Sequence, residues 1–384
     1  MNFRETILRF FPQNMNQQMR EFYVSSAIFD FGTAMAAIFE PIYLWKIGWN
    51  LQSIIIFFLV AYVFYFLIAP LGANFARSRG YEHSIALSMP FLILYYLSLY
   101  SIPRHAVFVA LAAGSFGLFR MFYWPGARSI IARYSEENEC GRTFSGLSAL
   151  SVAAAVLGPI FGGIIIQQYG FAVLFLIVSA IVLLSNVPML ITPEKFEPHT
   201  LYYPDAYKRL ARPEFRKTLV AHFGYGEEFI ADILLPVFIL LIIPSYIGIG
   251  AVATGAGVVA IIAILLIGRM TDEHHRHPIM HAGVFTTALS WLARIIIITP
   301  FGIVLSQSLY RVTRLTIQVP FMSIAGQKAR EYSVMKSSLL YEMSIVIGKI
   351  VTACIALALL VFFPGNWAAL FVLAAALTFF YGIF

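Results

Sequence analysis

The sequence contains little charge and almost no cysteine. Only 12% of its 384 residues are Asp, Glu, Lys or Arg, about half the proportion of an ordinary soluble domain, whereas 60% are hydrophobic. One soluble core could not hide that much apolar surface, so the composition excludes a soluble enzyme, a disordered chain and a coiled coil. The 2 cysteines exclude a disulfide scaffold. What is left is a protein with several membrane-spanning segments.

Twelve apolar segments are long enough to cross a membrane. A helix needs about 20 mostly apolar residues to span the hydrocarbon, and lipid accepts only helices or closed barrels. The segments are 22–45, 51–71, 84–102, 106–127, 146–166, 171–191, 219–243, 247–267, 279–299, 301–325, 337–363 and 366–384. The sequence therefore predicts an all-α membrane protein with four parts: an amphipathic cytoplasmic segment at 1–20, a six-helix bundle at 21–191, a cytoplasmic linker at 192–218 and a second six-helix bundle at 219–384.

Basic residues mark one side of this predicted membrane protein. With the N-terminus inside, nineteen of the 26 Lys and Arg fall in cytoplasmic segments, five fall inside the spans, and only Lys46 and Arg104 face outward. This asymmetry is the positive-inside signal. The net charge of +7 therefore indicates topology and attraction to the anionic inner leaflet, and it does not indicate a nucleic-acid partner. We expect a multi-pass protein of the bacterial inner (plasma) membrane with both termini in the cytoplasm.

Three landmarks recur half a chain apart. The members of each pair are separated by 195 or 196 residues, close to half of 384. The pairs are Pro41 with Pro236, Gly72 with Gly268, and Pro125 with Pro320. Six spans are an even number, so two homologous six-helix halves insert in the same orientation. The sequence therefore predicts a parallel repeat about an axis along the membrane normal.

The residues around these landmarks resemble the major facilitator superfamily, and the similarity covers essentially the whole chain. That family carries Gly-x-Leu-Ala-Asp-Arg-x-Gly-Arg-Arg after its second span. Here Gly72 and Arg77 match, but Ala76 replaces the aspartate. The loop after the eighth span keeps three residues at the family spacing, which are Gly268, Asp272 and Arg276. The resemblance implies that the second copy of this motif carries more of the inner-gate contact than the first.

The fifth span contains a run of glycines around a proline, Gly158-Pro159-Ile160-Phe161-Gly162-Gly163. It is similar to a Gly-Pro-x-x-Gly-Gly motif that the family shows most often in exporters that exchange substrate for protons. Close packing of a neighbouring helix is the alternative interpretation, because such residues create a groove and a bend. In the fourth span, Ala112 occupies the position of the family's proton-coupling arginine, so that role does not transfer to Arg120, which lies closer to Pro125.

Eleven ionisable residues fall inside the predicted spans. A charge at mid-bilayer costs at least ~2.5–3.5 kcal/mol, so each of them is a candidate for function. They are Asp30, Glu40, Glu227, Glu228, Asp232 and Glu342, with Arg120, Arg294, Arg311, Arg314 and Lys349. Six acids against five bases predict mutual pairing in a polar cavity. Helical spacing predicts three shared faces: Glu228 with Asp232, Arg311 with Arg314, and Glu342 with Lys349. Glu40 and Glu227 lie nearest the span ends, and Arg294 is expected to pair at the periphery.

The resemblance implies that spans one, four, seven and ten line a central cavity. We assign proton coupling to Asp30, Asp232, Glu228 and Glu342, with Asp30 or Asp232 as the main proton site. The candidate substrate contacts are Arg120, Tyr123, Trp124, Arg311, Arg314 and Lys349. Desolvation favours the neutral carboxyl whereas a nearby arginine favours the carboxylate, so a substrate that occupies the arginine couples its own binding to a proton. The alternative is that some of these residues form structural ion pairs.

The sequence indicates neither ATP nor a metal nor another cofactor. It has no nucleotide-binding glycine-rich loop, and the histidines at 274, 275, 277 and 281 lack a convincing ligand set. We therefore predict a monomeric secondary active transporter, not an enzyme, that exports a small organic or amphipathic solute in exchange for protons. Two alternatives stay open. One is proton-coupled uptake of an anionic metabolite, favoured by Arg120, Arg311 and Arg314, and the other is a transport-inactive receptor or lipid-handling protein on the same fold.

Overall fold

The computed structural model describes residues 17–134, 140–191, 207–208, 210, 212–272, 276–330 and 334–383. Within these ranges, only the backbone is described at 131–152, 262, 264–277 and 319–337. This part of the chain is almost entirely helical and contains no strand, which confirms the all-α prediction. The α-helices are α1 (Gln17–Ala37), α2 (Phe39–Lys46), α3 (Leu51–Arg79), α4 (Tyr81–Ser101), α5 (Val107–Tyr134), α6 (Cys140–Ser185), α7 (Pro213–His222), α8 (Gly226–Phe229), α9 (Leu235–Ile242), α10 (Tyr246–Asp272), α11 (Arg276–Ala293), α12 (Pro300–Arg330), α13 (Val334–Phe362) and α14 (Trp367–Thr378). Most of the predicted N-terminal segment (1–20) and of the linker (192–218) lies outside the described residues.

Six helical stretches in the described part of the chain are long and apolar enough to cross a membrane. They are Gln17–Lys46, Leu51–Arg79, Tyr81–Arg104, Val107–Ile130, Ala153–Leu190 and Ser338–Phe362. Two shorter apolar helices are Tyr246–Ile261 and Trp367–Ile383. The structure thus confirms a helical protein with several membrane-spanning segments but does not confirm the count of twelve, because some of the later helices are short or interrupted.

The fifth and sixth predicted spans meet at a kink. Sequence reasoning expected a break at 167–170, and the stretch Cys140–Ser185 (α6) leaves helical geometry at Gly170, with φ 83° and ψ 175°, so two helices meet there. This left-handed φ favours glycine because a side chain would clash with the backbone there. One glycine therefore turns the chain without a loop.

Prolines interrupt the first and seventh predicted spans at matching positions. A proline cannot donate a hydrogen bond to the carbonyl four residues earlier, so the helix ladder loses a bond there. α1 ends at Ala37, four residues before Pro41. In the seventh span, a five-residue π-helix (Ile230–Leu234) that contains Asp232 lies just before Pro236. A helix irregularity thus precedes each proline, and the repeat of two homologous halves stays a prediction.

The glycines of the fifth span lie where α6 meets two other helices. A Cβ at Gly162 would overlap the carbonyl oxygen of Met35 on α1, and one at Gly163 would overlap that of Tyr246 on α10. Close to these positions, the Thr254 hydroxyl of α10 donates to the carbonyl of Val156 at 2.7 Å. These contacts support the packing interpretation of the motif, because the absent side chains let backbones approach.

Adding one methyl group at Gly162 is expected to destabilise the protein. The Cβ of Gly162→Ala meets backbone of α1, which cannot move aside alone, so we expect the free energy of unfolding to fall by about 1–3 kcal/mol. Gly114→Ala on α5 is the matched control, because its Cβ meets no atom within 4 Å. Thermal unfolding in detergent measures both variants. Equal unfolding temperatures for the two variants would contradict the packing interpretation.

Candidate functional site

A fully buried carboxylate, Glu227 on α8, joins three helices of the C-terminal half. Its Oε1 lies 2.8 Å from Nε of Arg314 on α12. Trp291 Nε1 on α11 donates to Oε2 at 2.8 Å, and the Tyr310 hydroxyl on α12 donates to the same oxygen at 3.0 Å. One cation and two neutral donors thus compensate this carboxylate, as a charge removed from water requires.

Arg314 also forms an ion pair with a second acid, Glu228. Its Nη2 lies 2.7 Å from Glu228 Oε1. The other oxygen of Glu228 lies 3.0 Å from Lys349 Nζ on α13, and this ammonium is 3.9 Å from Asp232 Oδ2. We call Glu227, Glu228, Asp232, Arg314 and Lys349 the ion-pair network. It contains three acids and two bases, so it carries an excess negative charge when all five residues are ionised.

Asp232 is the most accessible member of the ion-pair network. Its side chain is 66% exposed, against 25% for Glu228 and 7% for Lys349. It lies in the π-helical segment, a type of irregularity that is frequent at functional sites. Asp232 and Glu228 reach the same lysine, which agrees with the predicted shared helix face. An accessible and loosely paired carboxylate at this depth can exchange a proton or bind a polar group of a solute.

Arg120 of the N-terminal half lies near the ion-pair network and is surrounded by aromatic rings. Its guanidinium lies 5.3–5.6 Å from four ring centroids, those of Tyr62, Tyr65, Phe116 and Trp124. Arg120 and the exposed Arg311 both act electrostatically on Asp232. In the part of the chain that the structure describes, neither arginine has a carboxylate oxygen within 4.0 Å, and Arg120 Nε is buried without an acceptor. Two guanidinium groups are therefore available to an anion.

Glu40 belongs to the same region, although sequence reasoning placed it among the residues nearest the span ends. Its Oε2 accepts a hydrogen bond from the Tyr95 hydroxyl at 2.8 Å. It also lies within electrostatic reach of Asp232 and Arg120. Glu227 was also predicted to lie near a span end, and the structure buries it completely. Sequence reasoning missed both sites because their hydrogen-bond donors come from helices far away in the chain.

Arg294 is buried and pairs with a neutral residue outside the ion-pair network, and its expected peripheral role stays a prediction. Only 1% of the residue is exposed. Its Nη2 donates to Gln307 Oε1 at 2.9 Å, and its guanidinium lies 4.2 Å from the Trp291 ring centroid. Arg294 thus lies behind Trp291, which in turn contacts Glu227. The aromatic ring separates this cation from the carboxylate.

A second ion pair connects the two halves of the chain. Arg128 Nε on α5 pairs with Glu342 Oε1 on α13, and the Tyr65 hydroxyl donates to the other Glu342 oxygen at 3.3 Å. Sequence reasoning counted Arg128 among the cytoplasmic bases and placed Glu342 and Lys349 on one face. The structure directs Glu342 to Arg128 and Lys349 to Glu228, because helical spacing does not reveal partners on other helices.

The other predicted site residues lie outside the ion-pair network. Asp30 is half-buried on α1 and acts electrostatically on Tyr123, whose ring stacks on Phe29 with centroids 4.5 Å apart. Arg311 is exposed whereas Arg314, three residues later, is buried, so the two arginines do not share one environment. Trp124 contributes its ring to the Arg120 surroundings.

The predicted gating residues are only partly described. A Cβ at Gly72 would overlap the carbonyl oxygen of Met121, so this glycine brings α3 and α5 together. Arg77 is half-buried in the last turn of α3. The second copy of the motif contains Gly268, Asp272 and Arg276. The structure describes the backbone of these residues but not their side chains.

Several known proteins similar to this chain are named for multidrug resistance. A sequence model of the Major Facilitator Superfamily matches residues 22–248. Multidrug resistance protein MdtG of Citrobacter koseri is 24% identical over 285 residues, which cover 68% of each chain. MdtG of Escherichia fergusonii is 24% identical over 289 residues, again 68% of each chain. A multi-drug resistance efflux pump PmrA homolog of Lactococcus lactis is 23% identical over 192 residues, 46% of this chain and 47% of the relative.

Proposed function

The chain belongs to the major facilitator superfamily, and from this premise we propose that it exports a small organic or amphipathic solute in exchange for protons. Membership makes it a membrane transporter and not an enzyme. The proposed cycle is alternating access, in which two six-helix halves rock around a site near the middle of the membrane. The proposed architecture is a monomer of twelve spans in two parallel repeats, with both termini in the cytoplasm of a bacterium.

Contacts between the halves support a state that is closed at the predicted outer end. Gln52 Nε2 at the start of α3 donates to the carbonyl of Leu360 near the end of α13 at 3.4 Å. The Lys46 ammonium lies 5.2 Å from the ring centroid of Tyr246, where α10 begins. Both contacts join the N-terminal and C-terminal halves at the ends that the basic-residue pattern assigns to the outside. Alternating access requires that such contacts break when the site opens outward.

Two observations favour export. The relatives MdtG and PmrA homolog carry names that describe multidrug resistance or efflux. The Gly158-Pro159 motif of α6 is the one that the family shows most often in proton exchangers. Its glycines lie where α6 packs on α1 and α10, so the motif lies at a contact that a rocking movement would change.

The accessibility of Asp232 carries the proposed mechanism. An ionised Asp232 attracts a solute that bears positive charge or hydrogen-bond donors, and a proton on the same carboxyl removes that attraction. The solute and the proton then exclude each other, and this mutual exclusion is the requirement for exchange in opposite directions. Lys349 has a second acid, Glu228, at 3.0 Å, so protonation of Asp232 leaves no unpaired cation behind.

Uptake of an anion together with a proton is the second candidate, and Arg120 and Arg311 favour it. An anion bound to these guanidinium groups would cancel part of the positive charge that favours the carboxylate form of Asp232. Proton binding would then become easier when the solute binds, so the two would move in the same direction. The direction of proton movement therefore separates the two candidates.

Proton movement in proteoliposomes tests the proposal. Purified protein is reconstituted with a pH-sensitive dye inside the vesicles, which are loaded with ethidium as a cationic probe or benzoate as an anionic probe and then diluted. We expect outflow of ethidium to acidify the interior, because protons enter in exchange.

The remaining outcomes of this experiment contradict the proposal. An interior that becomes alkaline as benzoate leaves, with no response to ethidium, would establish movement of an anion with a proton. Protein-free vesicles are the baseline. Vesicles with protein that match this baseline for both probes, while the protein remains folded, would favour a transport-inactive receptor or lipid-handling protein.

A further inference from the structure

The segment that connects the two halves has one face buried against the helices. Its described residues are 207–208, 210 and the stretch from 212 into α7. Leu210 is buried in the hydrophobic core, with 8% exposure, and Tyr207 and Phe215 pack partly against the same core. This part of the predicted cytoplasmic linker therefore packs on the membrane helices through its apolar residues and is not a free loop in water.

Tyr207 occupies a gap that Pro70 leaves in α3. Because proline has no N–H, the carbonyl of Phe66 four residues earlier has no donor in its own helix. The Tyr207 hydroxyl donates to this carbonyl at 3.1 Å and to that of Leu67 at 2.8 Å. The rings of Tyr207 and Phe66 also pack, with centroids 5.6 Å apart. An unsatisfied carbonyl at membrane depth is costly, so this contact fixes the segment on α3.

The attachment point lies on the lipid-facing surface, near the predicted inner side. Leu67 is 52% exposed on a helix long and apolar enough to cross a membrane. The second predicted span ends at residue 71 on the inner side, so Leu67 lies about 6 Å from that end at a rise of about 1.5 Å per residue. A segment that begins here and leads into α7 runs along the level of the inner-leaflet headgroups.

The opposite face of the segment is basic. Four exposed side chains belong to it, namely Lys208, Arg212, Arg216 and Lys217. Glu214 is the exposed acid among the described residues of this stretch, so the net charge of the face is positive. The segment thus presents a net positive face near the predicted inner surface of the membrane, where anionic headgroups attract Lys and Arg.

We propose that this basic face binds the headgroups of anionic phospholipids of the inner leaflet. The anionic surface attracts Lys and Arg within about a Debye length, and the Tyr207 contact holds the four basic side chains at that level. Bound lipid would hold the connecting segment against α3, and through α7 it would link the N-terminal half to the C-terminal half. The site depends on neither the transported solute nor the direction of transport.

Lipid binding to the purified protein tests the site. Delipidated protein in detergent is titrated with phosphatidylglycerol or phosphatidylcholine, and bound lipid is counted by native mass spectrometry. The test variant carries Lys208→Gln, Arg212→Gln, Arg216→Gln and Lys217→Gln. We expect its affinity for phosphatidylglycerol to fall at least about tenfold, because each basic side chain near an anionic surface contributes about fivefold. Binding of phosphatidylcholine should not change.

Two controls make the result specific. Lys46→Gln with Arg104→Gln removes the two predicted outer bases and should leave binding of phosphatidylglycerol at the wild-type level. Inorganic phosphate should not displace the lipid at equal concentration, because it lacks the acyl chains that hold the headgroup at the surface. The proposal is overturned when the fourfold variant binds phosphatidylglycerol as tightly as wild type, or when free phosphate displaces the lipid. A Tyr207→Phe variant that folds but no longer binds phosphatidylglycerol would further support the anchoring role of the hydroxyl.

Discussion

Asp232→Asn protein is expected to lose the coupling between proton and solute while it remains folded. The amide has nearly the shape of the carboxyl but does not titrate. Lys349 keeps its contact with Glu228 at 3.0 Å, so the substitution leaves no buried cation without a partner. Coupling free energies of this kind correspond to about 5- to 150-fold, so we expect the ratio of transport with and without a pH gradient to fall by that amount. Ethidium transport in proteoliposomes with and without an imposed gradient measures this ratio.

Asp232→Glu is the matched control, since it keeps a titratable carboxyl in the π-helical segment and should retain coupling. Transport without a gradient should persist in Asp232→Glu and weaken in Asp232→Asn, because the amide, like the protonated carboxyl, does not attract the cationic probe. Asp30→Asn examines the other main proton candidate. Full gradient-driven transport in both Asp232→Asn and Asp30→Asn would show that neither carboxyl is the proton site. Loss in Asp30→Asn alone would place the site on α1.

Much of the fold could be predicted from local pattern. Hydropathy alone locates the helices, since lipid leaves few other ways to satisfy a backbone. Periodicity also predicted that Glu228 and Asp232 share a face, and both reach Lys349. The break expected at 167–170 is present at Gly170, but the sequence does not reveal its form, because a glycine between two apolar runs is equally compatible with a loop and with one left-handed residue.

The partners inside the site could not be predicted, because they depend on how helices pack. Glu227 has the same local surroundings in sequence as Glu228, but the structure buries it between Trp291 and Tyr310. Arg128 looked like a cytoplasmic base and pairs instead with Glu342. One signal was available in the sequence. The seventh span has an excess of acids, which need cations and N–H or O–H donors from other spans. The structure supplies them from Arg314, Lys349, Trp291 and Tyr310.

Arg314→Met protein is expected to be less stable than wild type by about 3–5 kcal/mol, the usual cost of removing one partner from a buried ion pair. Arg314 is the cation nearest to Glu227, at 2.8 Å, and it also holds Glu228 at 2.7 Å. Without it, a fully buried carboxylate keeps only two neutral donors, and both ion pairs between α8 and α12 are lost. Methionine has a similar length, so the change removes charge rather than volume. Thermal unfolding in detergent, monitored by size-exclusion chromatography, measures the loss.

Arg311→Met is the matched control on the same helix. Arg311 is exposed, and none of the described carboxylates lies within 4.0 Å of it, so its replacement should cost less than about 1 kcal/mol. Glu227→Gln combined with Arg314→Met should recover part of the stability, because the neutral amide no longer requires a cation in the protein interior. Recovery by this second substitution separates the loss of a charge pair from a general packing defect. Equal unfolding temperatures for Arg311→Met and Arg314→Met would show that the ion-pair network does not stabilise the C-terminal half.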